Sequence, residues 1–184
     1  LPRRKNNLIK IWSCPCATGE EAYSIAMILN NLDTQVPRFP KYKIVASDIA
    51  YEAIQNARTG IYSSNSMKEI SDYFENKYFL RQNTHFGYKS IIKEDLKNKI
   101  EFIEEDVTQG HKLPYKYDII FCRYLLIYFN RENRDRFLKI IENQLVENGI
   151  LILGKTETLF DSWGSLQLID SRNRIYIKSH SKIY

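Results

Sequence analysis

Three places in this sequence carry side chains suited to gripping a small polar ligand: Cys14-Pro15-Cys16-Ala17-Thr18-Gly19-Glu20-Glu21, Asp48, and Asp106. The first is a turn of small residues running into two carboxylates. It holds one glycine, Gly19, so it is not the G-x-G-x-x-G cradle that wraps a pyrophosphate. Glu20 and Glu21 would repel phosphate and suit a ligand with a positive group. An acid in the position of Asp48, at the end of a strand, commonly accepts hydrogen bonds from ribose hydroxyls. Each carboxylate also has a plainer reading. Thr18-Gly19-Glu20-Glu21 fits a capping box closed by Glu21, and Asp48 suits a cap on the helix that follows. Spacing alone leaves both readings open. Cys14 and Cys16 have no His pair of metal-ligand spacing among His85, His111 and His180, so buried thiols and no metal are expected.

The elements that would position these residues follow from periodicity. Leu8 to Ser13 alternates as a strand, and Ala22, Ile25, Ala26 and Leu29 form the stripe of a helix opening after Gly19. A second strand, Lys43 to Ser47, ends at Asp48, and a short helix from Ile49 to Arg58 stops at Thr59-Gly60. Residues 61 to about 100 break the rhythm. There Tyr62 to Ser66 reads as loop, Met67 to Tyr73 as a helical turn, and Tyr78–Arg81 and Tyr88–Ile92 as short strands of a small inserted sheet. Strands return at Ile100–Glu105 and Tyr117–Cys122. A helix capped by Asn130 carries Phe137, Leu138, Ile141 and Leu145 and ends at Asn148-Gly149. Strands at Ile150–Leu153, Leu166–Ile169 and Arg174–Lys178 complete the chain. Only Asp170-Ser171-Arg172-Asn173 joins the last two, too short for a parallel crossover, so they form an antiparallel hairpin.

Strands alternating with helices predict an α/β, mostly parallel sheet. With its C-terminal antiparallel hairpin and the small inserted antiparallel β-subdomain, this is the layout of Rossmann-like class I methyltransferases. A ligand with a ribose, no phosphates and a cationic end is S-adenosylmethionine. The bulk properties agree with a single globular domain over residues 1–184, with an insertion over about 62–100. The longest apolar run, Tyr124 to Phe129, is six residues, which excludes a spanning helix, and no signal peptide is read. Three cysteines argue against a disulfide framework and for a reducing compartment. The net charge of +5 has short clusters at Pro2-Arg3-Arg4-Lys5 and Arg131 to Lys139 and decides nothing by itself.

Ile11-Trp12-Ser13-Cys14-Pro15-Cys16-Ala17-Thr18-Gly19-Glu20-Glu21-Ala22-Tyr23-Ser24-Ile25-Ala26-Met27 resembles the first motif of the chemotaxis receptor glutamate methyltransferases, the CheR type. So do Ala46-Ser47-Asp48-Ile49, Ala57-Arg58-Thr59-Gly60-Ile61-Tyr62, and Ile120-Phe121-Cys122-Arg123-Tyr124-Leu125-Leu126-Ile127-Tyr128-Phe129. Asn148-Gly149-Ile150-Leu151-Ile152-Leu153-Gly154, with Thr156-Glu157, completes the set, which runs in the family's order from about residue 8 to residue 178. The resemblance implies S-adenosylmethionine-dependent methylation of glutamate side chains on bacterial chemoreceptors. It places Glu21 on the amino-acid end of the cofactor, Asp48 on the ribose, and Asp106-Val107 near the adenine. Thr18 and Gly19 belong to the same cofactor turn, and Cys122 and Arg123 line the cleft. Tyr128 and Arg123 take the catalytic roles, the tyrosine beside the transferable methyl and the arginine guiding the carboxylate or holding the cofactor loop. The β-subdomain corresponds to one that grips a receptor tail peptide in some members.

The implied partner is the acidic, glutamate-bearing cytoplasmic domain of a chemoreceptor, met by a cytoplasmic monomer with no membrane insertion and no nucleic acid. The sequence departs from the family's pattern in three places. Asp106-Val107 replaces a frequent Asn-Leu, and Tyr124 replaces the usual Asn after Cys-Arg. The family's N-terminal helical domain and upstream Phe-Phe-Arg motif are not in this chain, which implies weak cofactor binding and slow turnover as it stands. Two other readings remain at this level: a nucleic-acid methyltransferase, for which no base-amine motif or basic aromatic stripe is found, and a non-catalytic cofactor-binding or receptor-docking module.

Overall fold

Alternation in Leu8–Ser13 makes strand β1 and sends its side chains to opposite faces of a sheet. Ile11 joins one core cluster and Trp12 the other. The computed structural model describes residues 8–85 and 87–179, so the basic cluster at Pro2 to Lys5 and His180 lie outside the described residues. After β1 come α1 (Glu20–Gln35), β2 (Lys41–Asp48), α2 (Tyr51–Thr59), β3 (Ile61–Ser63), α3 (Asp72–Tyr78), β4 (Phe79–Thr84), β5 (Gly87–Ile92) and α4 (Glu94–Lys97). The second half holds β6 (Ile100–Glu104), β7 (Tyr117–Cys122), α5 (Arg131–Gln144), β8 (Leu145–Leu153), β9 (Ser162–Trp163), β10 (Leu166–Asp170) and β11 (Ile175–Lys178).

The main sheet has eight strands in the order β6-β2-β1-β7-β8-β11-β10-β9. Its first five are parallel, and β11 lies antiparallel between β8 and β10, as the short Asp170–Asn173 connection requires. Ser13 is level with Ala46 of β2 and Phe121 of β7, so the carboxyl ends of these three strands form one edge. The order reverses between β1 and β7, the switch point at which such sheets hold ligands. One face is packed by α1 through Ala22, Tyr23, Ile25 and Ala26. The other face includes Phe137, Leu138 and Ile141 of α5, each burial worth about 1.5–3 kcal/mol.

The small sheet, in the order β3-β5-β4, is antiparallel as expected. It shares a core with α1 through Tyr62, Phe79 and Ile92, joined by Met67 and Tyr78 from the segment between β3 and β4. Four local expectations are corrected. Tyr62 lies in strand β3 rather than in a loop. The helical turn expected at Met67 to Tyr73 is a run of turns, and the helix is α3, starting at Asp72. Phe74 and Tyr78 supply its stripe, ring centroids 5.9 Å apart, and Tyr78 ends this helix instead of beginning a strand. Finally, α5 stops at Gln144, and Asn148-Gly149 is a bulge inside β8. Asn148 has φ 60°, which Asn tolerates better than most residues, and a Cβ on Gly149 would come within 2.8 Å of the Val146 carbonyl. Leu145, fully buried and level with Tyr117, is drawn into the sheet, and the Lys178 ammonium takes over the end of α5 by donating to the Glu142 and Leu145 carbonyls. Asn130 caps α5 as expected, accepting from the Asn133 amide at 2.9 Å.

Candidate active site

The turn between β1 and α1 is hung from two neighbouring strands. The Cys14 amide donates to the Phe121 carbonyl and the Cys16 amide to the Ser47 carbonyl, both at 2.9 Å. Ala17 at φ 45° and Gly19 at φ 92° turn the chain into α1, and Gly19 takes the cap position without any side-chain bond. A side chain at Gly19 would meet the Ala57 Cβ at 3.0 Å and the Tyr62 hydroxyl at 3.2 Å. The capping-box reading is therefore corrected. A left-handed glycine moves Thr18 outside the helix, where its hydroxyl bonds the Glu20 carboxylate at 2.7 Å.

Glu21 is left free to face the site. One of its oxygens accepts from the Ser13 hydroxyl at 2.7 Å and the other from the Arg123 guanidinium at 2.8 Å. Burial works against the Arg123 charge, but the Glu21 carboxylate more than offsets this and holds the guanidinium above its ordinary pKa. Arg123 also stacks near the Tyr124 ring, 5.2 Å from its centroid.

The segment from Arg123 to Tyr128 has little regular structure and is held by a residue to which sequence reasoning assigned no role. Glu157, 3% exposed, accepts the backbone amides of Tyr124 at 2.7 Å, Leu126 at 2.8 Å and Gly154 at 2.8 Å. Glu157 stood in a quoted motif, but nothing in its spacing shows three amides converging on it from two other segments. Tyr124 has φ 60°, a conformation that favours Asn over a bulky residue. Its ring leaves no room for a side chain at Gly154, where a Cβ would come within 2.9 Å of it. Tyr128 is 78% exposed, while its neighbour Phe129 packs against Phe137 of α5.

Asp48 is nearly buried. Its oxygens accept the Ala17 amide at 2.8 Å and the Ala50 amide at 3.0 Å, so it joins the first turn to the second rather than capping α2, whose cap residue is Ala50. A carboxylate offers about four acceptor sites, so two remain for hydroxyls. Asp106 caps a short turn at Val107–Gln109, and the Thr108 hydroxyl and amide hold its carboxyl below its ordinary pKa.

Two cavities meet at Pro15, which lines both. The larger, about 800 Å³, runs along the sheet beside α1 and includes Glu20, Glu21, Arg123, Tyr124 and Tyr128. The smaller, about 130 Å³, is lined by Asp48, Ile49, Asp106, Val107, Leu125 and Phe129. Thus Glu21, Arg123 and Tyr128 are brought together, as are Asp48, Asp106 and Val107. Three expected residues line neither cavity. Cys122 points into the core and is 1% exposed, which corrects its place on the cleft wall. Thr18 and Gly19 shape the turn from behind it, the Thr18 carbonyl accepting the Tyr62 hydroxyl at 2.8 Å. The cysteines are free thiols, and burial pushes Cys16 up to about 12 and Cys14 well above its ordinary value. Among the described residues no cluster of His, Cys, Asp or Glu is arranged to hold a metal.

The chemistry of these donors fits S-adenosylmethionine: carboxylates for a cationic end, a nearly buried acid with free acceptor sites for a ribose, and an apolar slot for a flat ring. A parallel sheet reversing at β1, closed by an antiparallel hairpin and carrying acids at its first strand ends, defines the Rossmann-like class of S-adenosylmethionine-dependent methyltransferases. The chain belongs to the CheR methyltransferase family, whose SAM-binding domain it matches over residues 2–175. It is 32% identical over 158 residues to the chemotaxis protein methyltransferase of Borreliella burgdorferi, covering 84% of this chain and 54% of that protein. Chemotaxis protein methyltransferase 2 of Vibrio cholerae is 35% identical over 164 residues, with 85% and 54% covered. The chain thus spans about half the length of the curated relatives it matches. Among solved structures, PKMT2 from Rickettsia typhi in complex with AdoHcy aligns with a TM-score of 0.51 at 14% identity, over 83% of this chain and 22% of that one. The glycopeptide N-methyltransferase MtfA complexed with sinefungin aligns with a TM-score of 0.50 at 8% identity, over 79% and 42%. At such identities these two bear on the fold alone.

Proposed function

We propose that this chain is the catalytic domain of a protein-glutamate O-methyltransferase acting on the cytoplasmic, glutamate-bearing helices of a chemoreceptor. The observation that carries the reading is the Glu21–Arg123 pair at 2.8 Å, which fixes a guanidinium at a cavity lined also by Tyr124 and Tyr128. S-adenosylmethionine, when bound, supplies an electrophilic methyl on a sulfonium leaving group. A glutamate side chain, with an ordinary pKa of about 4.3, is already ionised near neutral pH, so the protein needs no general base. Its own residues orient and desolvate. Arg123 spends one N–H on Glu21 and keeps others for an incoming carboxylate, while the exposed Tyr128 hydroxyl aligns the reacting oxygen. Such positioning is worth up to about 7–11 kcal/mol. Asp48 takes the ribose and Asp106-Val107 the adenine side. The relatives named chemotaxis protein methyltransferases support the receptor as substrate and a cytoplasmic setting; no helix among the described residues is long and apolar enough to cross a membrane.

Transfer of labelled methyl from S-adenosylmethionine to receptor cytoplasmic domains, with RNA as a parallel substrate, tests the proposal. Base-labile label on receptor glutamates is expected. Label on RNA alone, or none anywhere despite bound cofactor, overturns it.

A further inference from the structure

From the wall of the smaller cavity, which Ser47 and Glu105 help to line, runs a buried polar chain that the proposed chemistry does not use. Glu105, 3% exposed, directly follows β6, and the His111 side chain beside it is fully buried. One Glu105 oxygen meets His111 Nδ1 at 2.7 Å and the other accepts the Lys112 amide at 3.0 Å. On the far side of the imidazole, Nε2 meets the Tyr117 hydroxyl at 2.5 Å. The His111 ring stacks on Trp12 with centroids 4.1 Å apart, and the Trp12 indole donates to the Ser47 hydroxyl at 2.9 Å.

One carboxylate therefore closes a loop on itself, since residues 111 and 112 return to residue 105. Between them sit Asp106, Val107 and Thr108, which line the cavity assigned to adenosine. Inside the loop the ties are short-range: Asp106 to Thr108, Gln109 to Asp106, and Gly110 to Val107. None of these sets where the loop sits relative to Asp48. The Glu105 amide ties the start of the loop there, donating to the Asp48 carbonyl at 3.0 Å, and the histidine holds the far end, joining it to Glu105 and to Tyr117 of strand β7. A carboxylate only accepts, so Nδ1 carries a proton. Nε2 then accepts from the phenol as neutral imidazole or donates to it as imidazolium, and the chain is satisfied either way.

We propose that His111 is a positioning residue for the cofactor, bridging Glu105 and Tyr117 so that the loop over residues 105–112 forms the adenosine side of the pocket. The proposal rests on the cofactor reading above. An ordinary packing histidine would lend stability alone; this one controls the shape of a ligand wall.

Hydrogen exchange of the ligand-free chain and calorimetric titration with S-adenosylhomocysteine, on the parent, His111→Phe and Tyr117→Phe, separate the two ideas. His111→Phe keeps the stack on Trp12 and removes both bonds. It should speed exchange at the amides of residues 108–112 about tenfold, with α1 and β8 unchanged, and weaken S-adenosylhomocysteine by about tenfold. Tyr117→Phe, which keeps the ring, should do the same to a lesser degree. In methyl transfer the KM for the cofactor should rise with kcat within about twofold, a split that global loosening does not produce. Unchanged exchange and affinity in both folded variants overturns the positioning role. If the parent itself fails to bind S-adenosylhomocysteine, the cofactor reading falls and takes the role of His111 with it.

Discussion

Glu157→Gln removes a charge and one acceptor oxygen while keeping the side chain's shape. In the parent, one oxygen accepts both the Tyr124 and Gly154 amides and the other the Leu126 amide. A glutamine must present its NH2 group to one side, so one or two buried amides lose their acceptor and face a donor instead. Bonds to a charged acceptor contribute about 1.5–3 kcal/mol each, and an orphaned buried amide costs about 1–3 kcal/mol. The expected loss is therefore about 2–4 kcal/mol in urea denaturation, or a Tm lower by roughly 4–16 °C at about 2–4 °C per kcal/mol. The amides involved carry Arg123 and Tyr128 on their loop, so methyl transfer should fall further than S-adenosylhomocysteine affinity, for which the proposed site relies on Asp48 in another segment. Both are measured on the folded fraction at a temperature well below the variant's Tm. A stability change below about 0.5 kcal/mol, the scale of an ordinary surface substitution, would refute the three-amide latch.

Three further outcomes are expected. Asp48→Asn should weaken S-adenosylhomocysteine by about tenfold by calorimetry, since charge-assisted bonds to ribose hydroxyls become neutral ones; equal affinity would reduce Asp48 to a link between turns. Tyr128→Phe should lower turnover while leaving the cofactor dissociation constant nearly unchanged, because an exposed hydroxyl acting on the reacting oxygen contributes little to ground-state binding. Acid stability should depend on Glu105. Burial pushes its pKa up, but His111, the Lys112 amide and Ser47 outweigh that and hold it below its ordinary value. Its contribution is thus fully present above about 4.3, the unfolded value, and is lost as pH falls through the lower folded value. Glu105→Gln should therefore flatten the fall of Tm with acidity below about pH 4.3, and an unaltered acid limb would remove Glu105 from that role.

Much of the scaffold was legible because its signals are local. Apolar alternation in Leu8–Ser13, the stripe of α1 and the short Asp170–Asn173 link each depend on neighbours in sequence, and each matches the structure. The misread places are those where a distant partner overrides local preference. Leu145 continues the α5 stripe yet lies in the sheet opposite Tyr117, and Met67 packs on the α1 core from a run of turns. Gly19 shows the same effect within the site: Thr18 and Glu21 have capping-box spacing, but a left-handed residue between them hands Glu21 to Ser13 and Arg123.

The sequence by itself therefore determined the strand order's ingredients, the acids at the ends of β1 and β2, and the family motifs that contain Arg123 and Tyr128, since these rest on residue type and short spacing. Tertiary structure decided which of those groups act together. Glu21 meets Arg123 across 102 positions, and Glu157 reaches Tyr124 across 33. Glu105 is joined through His111 to Tyr117 although the three stand only six positions apart at each step. Such pairings form where strand ends and loops converge in a buried edge, and burial is what makes a satisfied carboxylate stabilising and an unsatisfied one costly.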